Sequence, residues 1–128
     1  MKIKSVHHIA IITDDYSTSK KFYTEILGFA IVREVFRKER NSYKLDLSVN
    51  GKYQIELFSF PSPGERGSFP EAKGLRHLAF AVSNIEEAVI ELQSKGVKVE
   101  DIRIDEFTNK KFTFFTDPNG QPLELYEE

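Results

Sequence analysis

The sequence predicts an α+β fold made of two copies of a β-α-β-β-β unit. Three observations predict it. First, a histidine-bearing apolar stretch opens each half, Val6-His7-His8-Ile9-Ala10-Ile11-Ile12 and Leu75-Arg76-His77-Leu78-Ala79-Phe80-Ala81-Val82. Second, the landmarks after each histidine recur at matching distances. His8 to Gly28 is 20 positions and His77 to Gly96 is 19; His8 to Glu56 is 48 and His77 to Glu124 is 47. Third, a hairpin glycine precedes each glutamate, by 5 positions in the first half (Gly51) and by 4 in the second (Gly120). Landmarks in one order at one spacing mark a duplicated unit.

The elements follow in order. Met1 to Ile12 reads as a strand, with Ile9 and Ile11 on one face and His8, Ala10 and Ile12 on the other. Thr13-Asp14-Asp15-Tyr16-Ser17 is a turn that supplies N-cap residues. A helix over Thr18–Leu27 buries Phe22, Tyr23, Ile26 and Leu27 and stops at Gly28. Strands are expected over Phe29–Arg37, Tyr43–Val49 and Lys52–Phe60, the last two joined by the Asn50-Gly51 turn. Pro61–Gly74 has no periodicity and reads as a loop between the halves, either a linker or part of a site. The second half repeats the order. A strand runs over Leu75–Val82, then a helix over Ile85–Lys95 capped by Ser83-Asn84 and ended by Gly96. Strands follow over Val97–Ile104, Lys111–Thr116 and Pro122–Tyr126, with a turn at Asp117-Pro118-Asn119-Gly120. The expected organisation is one domain of two repeats, about 1–60 and 75–128, joined by loop 61–74.

Composition removes several function classes. The 128 residues are enough for a core without disulfides. A chain 40% apolar and 30% charged is an ordinary soluble globular composition. The net charge of −2 gives no footprint for nucleic acid. The absence of cysteine removes thiolate metal sites and cysteine nucleophiles. No stretch approaches a membrane span, and Met1-Lys2-Ile3-Lys4 does not begin a signal peptide, so no membrane association and a cytoplasmic location are expected.

Four residues carry the chemistry: His8, Glu56, His77 and Glu124. In each unit the histidine lies on the first strand and the glutamate on the last. Ile55 and Leu57 flank Glu56, and Leu123 and Leu125 flank Glu124, so strand alternation turns both glutamates away from the helix-covered face. Ala10, Ala79 and Ala81 share the histidine faces and leave space for a pocket. Two imidazoles and two carboxylates suit one divalent ion per site, Ni²⁺, Zn²⁺, Co²⁺ or Fe²⁺. An octahedral ion would keep two positions open for substrate. His7 points opposite to His8 in a regular strand and is expected to pack or hydrogen-bond near the helix. Arg66, Lys110, Lys111, Phe112, Arg33 and Arg103 are candidates for substrate contact, with solvated surface charge as the plainer reading of the cations.

These segments resemble the vicinal-oxygen-chelate superfamily, which includes glyoxalase I, fosfomycin-resistance proteins, bleomycin-resistance proteins and extradiol dioxygenases. The resemblance is carried by His8-Ile9-Ala10-Ile11, Phe22-Tyr23, Leu27-Gly28-Phe29, Ile55-Glu56-Leu57, Arg76-His77-Leu78-Ala79-Phe80 and Asp117-Pro118-Asn119-Gly120 through Leu125. It covers essentially the whole chain and is nearest to small bacterial glyoxalase-I-like proteins. The family's Phe-Tyr falls 14 positions after its ligand, and Phe22 is 14 after His8, which selects His8 over His7. The resemblance implies a glyoxalase-like fold, two βαβββ modules curled into an open, incompletely closed barrel around a metal. It also implies a homodimer with His8 and Glu56 from one chain and His77 and Glu124 from the other. In glyoxalase I the residue matching Glu124 is the candidate proton shuttle, with Glu56 remaining a ligand.

The expected function is therefore a divalent-metal-dependent lyase or isomerase. It would chelate adjacent oxygens of a small substrate, such as a thiol conjugate of a 2-oxoaldehyde, and transfer a proton through Glu124. Two alternatives stand beside it: a non-catalytic protein that sequesters a drug or metabolite, and a thiol transferase of the fosfomycin-resistance type.

Overall fold

The computed structural model describes residues 1–128. The chain forms two compact units, Met1–Glu65 and Arg66–Glu128. The first holds β1 (Ile9–Thr13), α1 (Tyr16–Lys21), β2 (Ala30–Arg37), β3 (Ser42–Val49) and β4 (Lys52–Ser59). The second holds β5 (Leu78–Val82), α2 (Ile85–Ser94), β6 (Arg103–Ile104), β7 (Lys111–Thr116) and β8 (Pro122–Glu127). Each unit is an open four-stranded sheet, ordered β1-β4-β3-β2 and β5-β8-β7-β6. The first and last strands pair in parallel and the rest are antiparallel. This is the duplicated α+β arrangement expected from the repeat. No helix is long and apolar enough to cross a membrane.

The helices begin where a side chain satisfies their free amides. Asp15 Oδ1 accepts from the Thr18 amide at 3.1 Å, and Asn84 Oδ1 accepts from the Glu87 amide at 3.0 Å. Helix α2 ends at Gly96 (φ 82°), where the Val97 and Gly96 amides return to the carbonyls of Leu92 and Gln93 at 3.0 Å each. Helix α1 ends differently. It widens into a π-helical turn over Phe22–Ile26, with the Leu27 amide on the Phe22 carbonyl at 3.0 Å, before Gly28 (φ 76°) stops it. The turn holds one extra residue, which accounts for 20 positions between His8 and Gly28 against 19 between His77 and Gly96.

The hairpin offset has an equally local cause. In the β3–β4 pair, Leu47 faces Ile55 but Ser48 faces Tyr53, so Gln54 is a bulge. The second unit pairs β7 with β8 without a break. These two insertions in the first repeat are each absorbed within an element, and the segment between them is one residue shorter there, 23 positions from Gly28 to Gly51 against 24 from Gly96 to Gly120.

The helix-side faces form the cores. In the first unit Ile11, Leu45, Leu47, Ile55 and Leu57 are buried with Phe22 and Tyr23, and α1 packs on β4. In the second, Phe115, Leu123 and Leu125 are buried with Ile85 and Leu92, and α2 packs on β8. Four elements begin two or more residues from the expected position. α1 begins at Tyr16, not Thr18. β1 and β5 begin at Ile9 and Leu78, after the histidines, and β6 is only two residues long. Of the rest of Val97–Ile104, Glu100 alone bonds backbone to backbone with β7, its amide on the Phe114 carbonyl at 2.9 Å.

Leu57 is fully buried. Leu57→Ala is expected to lower unfolding free energy by about 2–5 kcal/mol in urea titrations. Asn84→Ala, which removes only a helix cap, is expected to cost about 1 kcal/mol by the same measurement.

Candidate functional site

The parallel strand pairs set the geometry. Ala10 stands opposite Glu56, and Ala79 opposite Glu124. Each histidine lies two residues before its alanine, on the side the glutamate faces. His8 Nε2 is 3.4 Å from Glu56 Oε2, and His77 Nε2 is 3.0 Å from Glu124 Oε2. The glutamate side chains are only 12% and 11% exposed, so neither faces bulk water as a strand glutamate usually does. Neither unit by itself brings together three histidine or carboxylate side chains that could hold a metal ion.

The two pairs nevertheless fit metal donors in type and spacing. Nitrogen and oxygen donors each about 2.1 Å from one ion, and about 90–110° apart, lie about 3.0–3.4 Å from one another. Both observed separations fall in that interval without rearrangement.

In the first unit Glu56 is anchored. Its Oε1 accepts from the Tyr53 hydroxyl and lies 3.2 Å from Lys44 Nζ, leaving Oε2 toward His8. Lys44 also reaches Asp46 Oδ1 at 2.9 Å, and Arg33 clamps Asp46 Oδ2 from Nε and Nη2 at 3.1 and 2.9 Å. Burial pushes the Glu56 carboxyl up, but the Tyr53 and Lys44 hydrogen bonds and the charges of Lys44 and His8 outweigh it and hold it below its ordinary value. Burial likewise raises Asp46, and Lys44 and Arg33 more than offset it. Burial first, then the bond to Glu56, drives the Tyr53 phenol upward, so it stays a donor.

His7 does not turn away from His8. Both precede β1, and their Nδ1 atoms are 2.8 Å apart. One of the two must carry the proton. With the proton on His8 Nδ1, His7 accepts it and the His8 Nε2 lone pair faces Glu56, the state a metal ligand requires.

The second unit is built otherwise. The registers that place Lys44 opposite Phe58 and Asp46 opposite Glu56 place Phe112 opposite Tyr126 and Phe114 opposite Glu124. Two phenylalanines thus stand where the first unit has a lysine and an aspartate. Phe114 packs edge-on to His77 at 5.1 Å between centroids. Glu124 has His77 as its polar neighbour and no equivalent of the Tyr53 and Lys44 anchors.

The other candidates are dispersed. Arg66 lines a cavity that His77 also lines. Lys111 is engaged with Glu86 across to α2, and Phe112 lies under the Arg103 guanidinium at 4.9 Å. Arg33 is committed to Asp46. Tyr53, Lys44 and Asp46 were not singled out by the sequence. Tyr53 lies three residues before Glu56, which in a regular strand puts it on the opposite face; the bulge at Gln54 brings it round. Asp46 and Lys44 carried one available signal, alternation with the apolar Leu45 and Leu47.

A duplicated βαβββ chain with a histidine–glutamate pair at one register in each copy defines a class of two-module proteins. The sequence matches the Glyoxalase/Bleomycin resistance protein/Dioxygenase superfamily over residues 5–125, and the chain belongs to it. It is 60% identical over 128 residues to the uncharacterized protein YwkD of Bacillus subtilis (strain 168), with 100% of both chains covered. It is 61% identical over 126 residues to the uncharacterized protein YaeR of Escherichia coli (strain K12), with 98% of each covered. A crystal structure of a glyoxalase family protein from Enterococcus faecalis superposes with a TM-score of 0.92 at 48% identity, over 99% of this chain and 100% of that one. More distant relatives are a lactoylglutathione lyase of Schizosaccharomyces pombe, 27% identical, of which this chain spans 49%, and the metallothiol transferase FosB of Staphylococcus saprophyticus, 29% identical, of which it spans 77%. Such a range fixes the scaffold and leaves the reaction to the site.

Asp46 offers a pH test. Its folded pKa is depressed below the ordinary 3.8, so it contributes stability above that value that is lost as pH falls through the folded pKa. The metal-free protein should therefore lose stability in acid. Asp46→Asn should flatten that acid limb and cost about 1–3 kcal/mol at neutral pH, read from urea midpoints at successive pH values.

Proposed function

We propose that the protein is a divalent-metal-dependent lyase or isomerase of the glyoxalase I kind. In this reading His8, Glu56, His77 and Glu124 hold the ion, and Glu124 moves a proton between adjacent carbons of a small oxygenated substrate. The observation that carries the reading is the repeated histidine–glutamate pair with its two glutamates treated unequally. Glu56 is pinned by Tyr53 and Lys44 and suits a permanent ligand. Glu124 has an Oε1 that no protein group holds, and suits a carboxylate that must accept and release a proton.

A bound divalent ion would polarise the substrate oxygens and stabilise the negative charge left when the proton departs. The protein does the rest. Glu124 takes the proton from a carbon beside a carbonyl and returns it to the neighbouring carbon, so its own charge is restored at the end of turnover. Phe112 and Phe114 give its side of the sheet an apolar surface, so no neighbouring side chain there competes for the carried proton. The relationship to a lactoylglutathione lyase supports a thiol conjugate of a 2-oxoaldehyde as the substrate class.

The site is completed in a homodimer, one protomer supplying His8 and Glu56 and its partner His77 and Glu124. Two observations support this. Each unit holds only one pair, and the first unit exposes Ile31, Val35, Phe36 and Tyr43 along β2 and β3.

Protein loaded with Ni²⁺ or Zn²⁺ should form lactoylglutathione from methylglyoxal and glutathione. Glu124→Gln should reduce turnover by about 10²–10⁴ while retaining more metal than His77→Ala. No turnover with any divalent ion would discard this substrate, and tight small-molecule binding without product would indicate sequestration; thiol addition to fosfomycin would indicate the transferase.

Subunit mixing tests the shared site. His8→Ala and His77→Ala variants, co-refolded in equal amounts, should regain about a quarter of wild-type activity, because half the dimers form as hybrids with one intact site of two. No recovery, with hybrids demonstrated by native mass spectrometry, would place all four ligands in one chain.

A further inference from the structure

We propose that the second unit carries a binding site for an anionic group of the substrate, a carboxylate or phosphoryl group, with Arg66 and Lys98 as its counter-ions. The assignment to substrate rests on His77 serving the catalytic centre proposed above.

A cavity of about 650 Å³ opens in this unit, a size that suits a small molecule. Its lining includes Arg66, Arg76, Lys98 and Arg103, against only two carboxylates, Glu71 and Glu100. Both carboxylates are spent. Arg76 Nε lies 2.6 Å from Glu71, and Arg103 Nη2 lies 3.3 Å from Glu100. Arg66 and Lys98 have no carboxylate partner, so the wall carries an uncompensated positive charge in a chain whose net charge is −2. Cations left unneutralised in a concave wall focus their field on the cavity.

Arg66 is also fixed in place. It donates from Nε to Ser68 at 3.1 Å and from Nη1 to the Gln121 side chain at 2.9 Å. Its Nη2 donates to the carbonyls of Leu75 and Arg76 at 3.0 and 2.8 Å. Every one of these acceptors is neutral. The guanidinium keeps its full charge and one free Nη1 hydrogen, while its rotamer entropy is already lost before a ligand arrives. Lys98 is exposed and unpaired, and supplies a mobile second charge. Phe114 and Phe115 give the same cavity an apolar wall, and His77 lies on it. An anion held by Arg66 and Lys98 would leave the remainder of a small ligand beside His77.

The test uses the full-length protein stripped of metal with EDTA, so that no ion can recruit the probe. Inorganic phosphate is titrated calorimetrically, with acetate in a parallel arm. Saturable phosphate binding is expected, weakening with added salt, and Lys98→Gln and Arg66→Gln should each weaken it about tenfold. A preference for phosphate over acetate assigns the site to a phosphoryl group, and comparable acetate binding assigns it to a carboxylate. No saturable binding of either anion overturns the site, as does binding unchanged in Lys98→Gln, whose exposed side chain holds no structure together. Uptake of Ni²⁺ or Zn²⁺ by Lys98→Gln is measured separately and should equal wild type. Protein that binds phosphate yet takes up no metal retires the metal centre and leaves the anion site; metal uptake without phosphate binding does the reverse.

Discussion

The parallel pairing of the first and last strands in each unit is the constraint on which the remaining geometry depends. Once Ala10 is opposite Glu56 and Ala79 opposite Glu124, the histidine two residues upstream must approach the carboxylate on the same face. A slip of one residue would send the glutamate into the leucine layer, where Leu57 and Leu123 are fully buried. The hydrophobic core therefore polices the register of the polar pair. Neither interaction has to be strong for the other to be accurate.

The same constraint explains how much of the fold was legible. Alternation around Glu56 and Glu124 is a period-two signal with apolar residues on one side, and the structure keeps it. Three helix ends were legible from Asn84, Gly28 and Gly96 because capping is local chemistry, while the turn over Thr13–Ser17 offered several caps and left the start of α1 two residues late. The starts of β1 and β5 were not. His7 and His8 continue an apolar alternation, but the strand ladder begins only at Ile9, and sequence alternation does not report where a partner strand ends. Val97–Ile102 misled for a related reason, since the residues have strand character but make a single backbone-to-backbone bond to β7, from Glu100.

The surroundings of Glu56 were the least legible part. Tyr53 lies at an odd spacing from Glu56, and only the extra residue in β4 brings its hydroxyl to the carboxylate. Lys44 and Asp46 belong to a neighbouring strand, and their contact with Glu56 is a matter of sheet order, which no local pattern encodes. The repeat hid this as much as it helped. Equal spacing suggested equal halves, whereas the residues opposite the two glutamates are an aspartate and a phenylalanine.

That inequality bears on the handedness of the proposed reaction. Two interchangeable carboxylates around a flat, deprotonated intermediate could each return the proton, and the product would emerge as a mixture of mirror forms. With Glu56 tethered through Tyr53 and Lys44, proton traffic on the proposed pathway is confined to one carboxylate and hence to one side of the substrate. A duplicated ancestor with identical halves would have lacked this bias. On the proposed pathway, the aspartate opposite one glutamate and the phenylalanine opposite the other therefore decide the handedness of the product.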